Sequence, residues 1–161
     1  MELGETIFVS QPSRFRGRSE HTVDGKGRLN VPSRFRDVLM RDYDDRLLIT
    51  PPWRTCLRIY PLQEWEKMEA TLLSKEKKDP QFQKMIRYLI GGSEECQIDK
   101  NGRILLPVHL RNQLDLKKDV VMMGMGPFFE IWDKDTWQAE SSITTQDFIE
   151  FDSTLHELGL F

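Results

Sequence analysis

Asp24, Gly27 and Arg28 lie in the stretch DGKGR, and Asp99, Gly102 and Arg103 repeat the arrangement in DKNGR. Each residue type has a definite chemistry. Aspartate accepts from nearby backbone N–H groups and shapes a turn. Glycine supplies the positive φ that other residues resist. An arginine carried at such a turn can enter the major groove of a duplex and donate a bidentate pair to guanine O6 and N7, worth about 1–3 kcal/mol of discrimination. The competing expectation for both arginines is an ion pair within the hairpin. For Asp24 and Asp99 the structural role, turn acceptor and partner to the arginine, is the favoured one.

Other chemistry is poorly supported. Cys56 and Cys96 form no CxxC pair, and both read as buried thiols. His21, His109 and His156 are far apart, and there is no HExxH, P-loop or GxSxG. The GMG at 124–126 lacks the rest of a dinucleotide fingerprint and reads as a turn between strands. No catalytic constellation, cofactor motif, metal site or small-molecule substrate is implied. No apolar run reaches the ~18–20 residues of a membrane span, and MELGETIFVSQPS has neither the basic start nor the apolar stretch of a signal peptide. A cytoplasmic protein is expected.

The net charge is −3, but the charge is uneven. Between Arg14 and Arg36 seven basic residues (Arg14, Arg16, Arg18, Lys26, Arg28, Arg34, Arg36) face two acids, whereas from Asp133 onward seven acids accompany one lysine. A local basic patch bears on partner choice more than the whole-chain sum. By itself such a run is as compatible with a solvated face.

The elements that must position these residues come from an internal repeat. HTVDGKGRLNVPSRFRDVL (21–39) aligns without a gap on CQIDKNGRILLPVHLRNQL (96–114), at an offset of 75. Pro32 matches Pro107, Arg36 matches Arg111, Leu39 matches Leu114, and apolar residues agree at Val23 and Ile98, Leu29 and Ile104, Val31 and Leu106, and Phe35 and Leu110. DRLLITPPWRTCLRIYPLQEWEKME (45–69) echoes DVVMMGMGPFFEIWDKDTWQAE (119–140), with Trp65 against Trp137 at an offset of 72. The expected organisation is an extension over 1–14, a first copy over 15–74, a connecting helix over 75–92, a second copy over 93–140, and an acidic tail over 141–161.

Each copy reads ββαββ and then α. A short β-branched run leads into the glycine turn, and Asn101-Gly102 is a strong hairpin signal. Leu29 and Val31 alternate with Arg28 and Asn30, giving one buried and one exposed face. Pro32 and Pro107 end their strands and open short helices. Trp65, Met68 and Leu72 share one face of a closing helix. Phe82, Met85, Ile86, Leu89 and Ile90 give the insert an amphipathic pattern, suited to covering a barrel or to an oligomer interface. So small a unit cannot close a core alone, whereas two units sharing strands could form a barrel.

This pattern of strand, DxxGR turn, strand, proline and helix resembles the AbrB/SpoVT superfamily. With two copies, FRG at 15–17, IYPLQEWE at 59–66 and DKNGRILLP followed by FEIWDK, the chain closely resembles the MraZ family over about 15–140. The resemblance implies an α+β fold of two tandem repeats forming a swapped-hairpin β-barrel with flanking helices. It implies a transcriptional regulator that is cytoplasmic and nucleoid-associated, forms ring-like homo-oligomers, and binds double-stranded DNA at G-rich direct repeats upstream of the division and cell-wall gene cluster. The family's DNA-contacting arginine falls on Arg28 and, in the second copy, Arg103. The superfamily's helix position falls on Arg36 and Arg111. Lys26, Arg34 and Lys100 then read as phosphate contacts, Asp24, Gly27, Asp99 and Gly102 as turn-shaping. His21 falls where single-copy relatives carry an arginine. The first copy is the more basic and is expected to carry more of the affinity. The alternative is an antitoxin-like or scaffold barrel that no longer reads DNA. The acidic tail is expected to be disordered, to pack on a neighbour, or to shield the basic surface.

Overall fold

Alternating apolar residues set the strands, prolines stop them, and the helices begin where the prolines leave off. The computed structural model describes residues 14–76 and 79–160; most of the expected N-terminal extension therefore lies outside the described residues. The first copy contributes β1 (Arg18–Thr22), β2 (Arg28–Asn30), α1 (Ser33–Asp42), β3 (Arg46–Ile49), β4 (Cys56–Pro61) and α2 (Leu62–Ser74). After α3 (Pro80–Leu89) the second copy repeats the order with β5 (Glu94–Gln97), β6 (Arg103–Leu105), α4 (Val108–Leu114), β7 (Asp119–Gly124), β8 (Phe129–Asp133) and α5 (Lys134–Glu140). A last helix, α6 (Thr145–Glu157), follows. Pro32, Pro61 and Pro107 each hold the residue before a helix, where a missing N–H costs nothing.

The strands form an open six-stranded sheet in the order β1-β7-β8-β4-β3-β5 and a separate two-stranded ribbon of β2 and β6. Two expectations need correction. The strands flanking each glycine turn do not pair with each other as a hairpin ladder. Instead β1 pairs with β7, β2 with β6 and β5 with β3, all antiparallel and all between copies. Nor does the hydrogen bonding close a barrel, because β1 and β5 end the sheet as unpaired edges among the described residues. The reason lies in the ribbon. Its strands are three residues long, and the prolines that end them have no N–H to carry the ladder further.

The ribbon closes over the sheet by packing. Leu29, Val31, Ile104 and Leu106 are buried with Phe35, Leu39 and Leu110 from α1 and α4, against Leu57, Ile59, Phe129 and Ile131 of the sheet. Burying each such side chain contributes about 1.5–3 kcal/mol. Phe15, Phe35 and Phe129 meet at centroid distances of 5.0–5.4 Å. A smaller cluster of Leu48, Tyr60, Leu62 and Trp65 lies on the sheet's outer face, joined by Met68 of α2 and by Leu89 and Ile90 at the end of α3. The insert is thus helical as expected, but it packs through its C-terminal end and buries none of its own residues. The GMG segment is a turn as read: β7 ends at Gly124 and Gly126 has φ +82°. Gly124 has a second role, since a Cβ there would lie 2.3 Å from the crossing backbone of Phe15 and Arg16. The acidic tail is not irregular; α6 opens with a capping box between Thr144 and Asp147.

Candidate nucleic-acid interface

Each DxxGR segment builds the same turn from its own atoms. Asp24 Oδ1 accepts the backbone N–H of Lys26 and of Arg28, each at 2.9 Å. Asp99 Oδ1 accepts those of Asn101 and Arg103 at 2.8 and 2.9 Å. Gly27 N–H returns to the Asp24 carbonyl and Gly102 N–H to that of Asp99, which sets φ at +85° and +77°. The free carboxylate oxygen then takes the arginine: Arg28 Nε donates to Asp24 Oδ2 at 2.6 Å, and Arg103 Nε to Asp99 Oδ2 at 3.1 Å. Both expected ion pairs are therefore present. They engage only Nε, so the Nη1/Nη2 edge, the fork suited to guanine, stays outside the bond. The backbone N–H of Arg28, then its side chain, hold the Asp24 carboxyl down at about 2. Asp99 is lowered for the same reason, first by the Arg103 N–H.

The two turns sit at opposite ends of one ribbon. Arg28 pairs with Leu105, Leu29 with Ile104 and Asn30 with Arg103. Val31 N–H to the Gly102 carbonyl at 2.9 Å and Leu106 N–H to that of Gly27 at 2.8 Å bind each turn to the other copy's strand. Directly opposed residues point to the same side of a strand pair. Leu29 and Ile104, each 1% exposed, face the core; Arg28, Asn30, Arg103 and Leu105 share the outer face.

Arg36 and Arg111 reach the ends of the ribbon from α1 and α4. Arg36 Nε donates to the Val31 carbonyl at 3.1 Å and Arg111 Nε to that of Leu106 at 3.2 Å. Their guanidinium groups lie over the opposite copy's turn. A Cβ on Gly102 would stand 2.8 Å from Arg36 Nη1, and one on Gly27 would stand 2.8 Å from Arg111 Nη2. This cross-copy brace is not readable in the sequence, because an alignment of two copies does not say which strand meets which.

The remaining candidates are more dispersed. Lys26 and Lys100 are exposed on the turns. Arg34 donates to the Arg16 carbonyl at 3.2 Å and lies over the Phe35 ring at 5.1 Å, tying the FRG segment to α1. Arg18 lies over Trp137, 5.4 Å from its centroid. Burial, then the charge of Arg34, pushes His21 below its ordinary 6.5, so it is neutral at neutral pH and carries no charge to a phosphate. Cys56 is buried as read, whereas Cys96 is only half-buried. Burial first, then Glu130 and Glu94 respectively, raises each thiol to about 12, which keeps both protonated and unreactive.

The sequence matches the family described as "MraZ protein, putative antitoxin-like" over residues 14–87 and 89–157. It is 45% identical over 125 residues to the transcriptional regulator MraZ of Syntrophobacter fumaroxidans, covering 78% of this chain and 83% of the relative. The transcriptional regulator MraZ of Thioalkalivibrio sulfidiphilus is 46% identical over 123 residues, covering 76% and 82%. That of Thermoanaerobacter pseudethanolicus is 40% identical over 146 residues, covering 89% and 98%. Two copies of one turn, set at the two ends of a shared ribbon, are here joined to similarity over nearly the whole length of relatives, and the chain belongs to the MraZ family.

Proposed function

We propose that this chain is a DNA-binding transcriptional regulator that reads duplex DNA with the outer face of the β2–β6 ribbon. The observation that carries the reading is the placement of Arg28 and Arg103 on that one solvent-facing side, each oriented by its own aspartate. The major groove admits a two-stranded ribbon, and guanine is the base an arginine fork matches. Diagonal neighbours on a strand pair are about 7–8 Å apart, roughly two base-pair steps at ~3.4 Å each. Two arginines so spaced suit a short G-rich element. Lys26, Lys100 and Arg34 would hold phosphate and set the register. Arg36 and Arg111 would act by fixing the turns. The pairing of strands between copies supports a swapped-hairpin arrangement.

One ribbon makes few base contacts. A ring of copies could engage successive direct repeats and gain avidity if the two spacings agree, with heterologous contacts that close on themselves. Repression from G-rich repeats upstream of the division and cell-wall gene cluster is the corresponding biological role. In a mobility-shift assay on the chain's own upstream DNA, Arg28→Ala is expected to abolish preference over scrambled duplex, and wild-type affinity should fall steeply with salt. Unchanged preference in that variant would overturn the reading and favour a protein-interaction barrel.

A further inference from the structure

The ribbon face has four residues, and two of them are not basic. The pseudo-two-fold of the ribbon passes through the Leu29–Ile104 pair, and it exchanges Arg28 with Arg103 and Asn30 with Leu105. The arginines obey this symmetry and the other two positions break it. Asn30 is exposed beside Arg103. Leu105, opposite Arg28, is 56% exposed although its strand neighbours Ile104 and Leu106 are buried. An apolar side chain held out to solvent on the same face as Arg28 and Arg103 has no role in the core.

Resting on the reading of the ribbon given above, we infer that Asn30 and Leu105 are specificity-determining residues, so that the two ends of the ribbon read different base pairs. The Arg103 end carries an amide, which matches the N6 donor and N7 acceptor of adenine bidentately. The Arg28 end carries a methyl-bearing side chain, which matches the C5 methyl of thymine. Cross-strand neighbours lie about 4.5–5.5 Å apart at Cβ, so each of these residues addresses the base pair beside the one its arginine reads. A ribbon with this asymmetry has a polarity on DNA. Turning the ribbon end for end on its site exchanges amide for methyl.

Selection from a randomised duplex library, with wild type, Asn30→Leu, Leu105→Asn and Arg28→Ala, tests this. Wild type is expected to select adenine at one position and thymine at another. Asn30→Leu should lose the first preference by about tenfold and keep the second, and Leu105→Asn the reverse. The salt slope should not change in either, since neither residue is charged. On the duplex selected by wild type, replacing that thymine by uracil removes only the methyl group. It should weaken wild type several-fold and leave Leu105→Asn unaffected, a measurement on wild type that holds whether or not a variant folds. If both variants select the wild-type sequence and uracil has no effect while Arg28→Ala loses selectivity, the inference is wrong and the reading of the ribbon stands. If Arg28→Ala still selects the wild-type sequence, the reading itself fails.

Discussion

Asp24 does three jobs with two oxygens, and they can be separated by titration. Its depression comes first from the Arg28 backbone N–H and only later from the side chain. Arg28→Ala should therefore leave the Asp24 carboxyl well below its ordinary 3.8, as followed by the side-chain carbon shift in NMR, whereas a return to 3.8 would mean that the guanidinium holds the turn. Because the folded value is lowered, the stabilisation from ionised Asp24 is fully present above 3.8 and is lost as pH falls towards about 2. DNA binding through this turn should not titrate near neutrality. On the proposed bracing role of Arg36 and Arg111, their shape should matter more than their charge. A lysine keeps the charge but has neither the planar group that lies over a glycine nor an Nε–H to donate to the carbonyl at the same time. Arg36→Lys should lose discrimination between operator and scrambled DNA about as much as Arg36→Ala does, with the salt slope unchanged. A slope reduced by about one unit in Arg36→Ala alone would instead mark a phosphate contact.

At the scale of elements the turn and the ribbon are one unit. Gly27→Ala places a Cβ at φ +85° against the Arg111 guanidinium. It should cost at least about 1–2 kcal/mol from the left-handed backbone alone, read by thermal or denaturant unfolding. Gly25→Ala, where a Cβ meets nothing within 4 Å, should be nearly silent. Phe35→Ala removes a ring shared by α1, the sheet and the FRG segment and should cost about 3–5 kcal/mol. Element order was legible because each signal is local: the alternation of Leu29 and Val31, Pro32 and Pro107 before helices, the 3.6-residue spacing of Trp65 and Met68. Partner choice was not. Asn101-Gly102 is a hairpin signal, yet the strands around it part company after one turn, because Ile98 and Ile104 are drawn to different neighbours. Local sequence encodes the bend at Gly102, while the burial of Ile104 against Leu29 decides where β6 goes. The same limit hid the brace: Arg36 was visible as a basic residue on a helix, but Gly102 as its floor required the fold.

At the scale of the molecule the two ends behave differently. None of the residues of α6 is buried, and Phe148, Ile149 and Phe151 are exposed to 58, 57 and 46%. Ending the chain at residue 140 should leave the unfolding midpoint of the remainder within a few degrees. If the tail shields the basic surface, that truncation should tighten non-specific DNA binding; no change would remove shielding from consideration. The interleaving of copies has a different reach. Among the described residues β1 and β2 pair only with strands of the second copy, β7 and β6, while β3 and β4 pair with each other and are flanked by β5 and β8 of the second copy. The matching turns are 75 residues apart, so at synthesis rates of about 5–20 residues per second the first half waits roughly 4–15 s for the second to leave the ribosome. During that interval Leu29 lacks its ribbon partner Ile104, and Leu47 lacks Cys96 on one side. The interleaving thus makes translation itself a stage in folding: a chain stalled before β7 leaves β1 without the strand that joins it to the sheet.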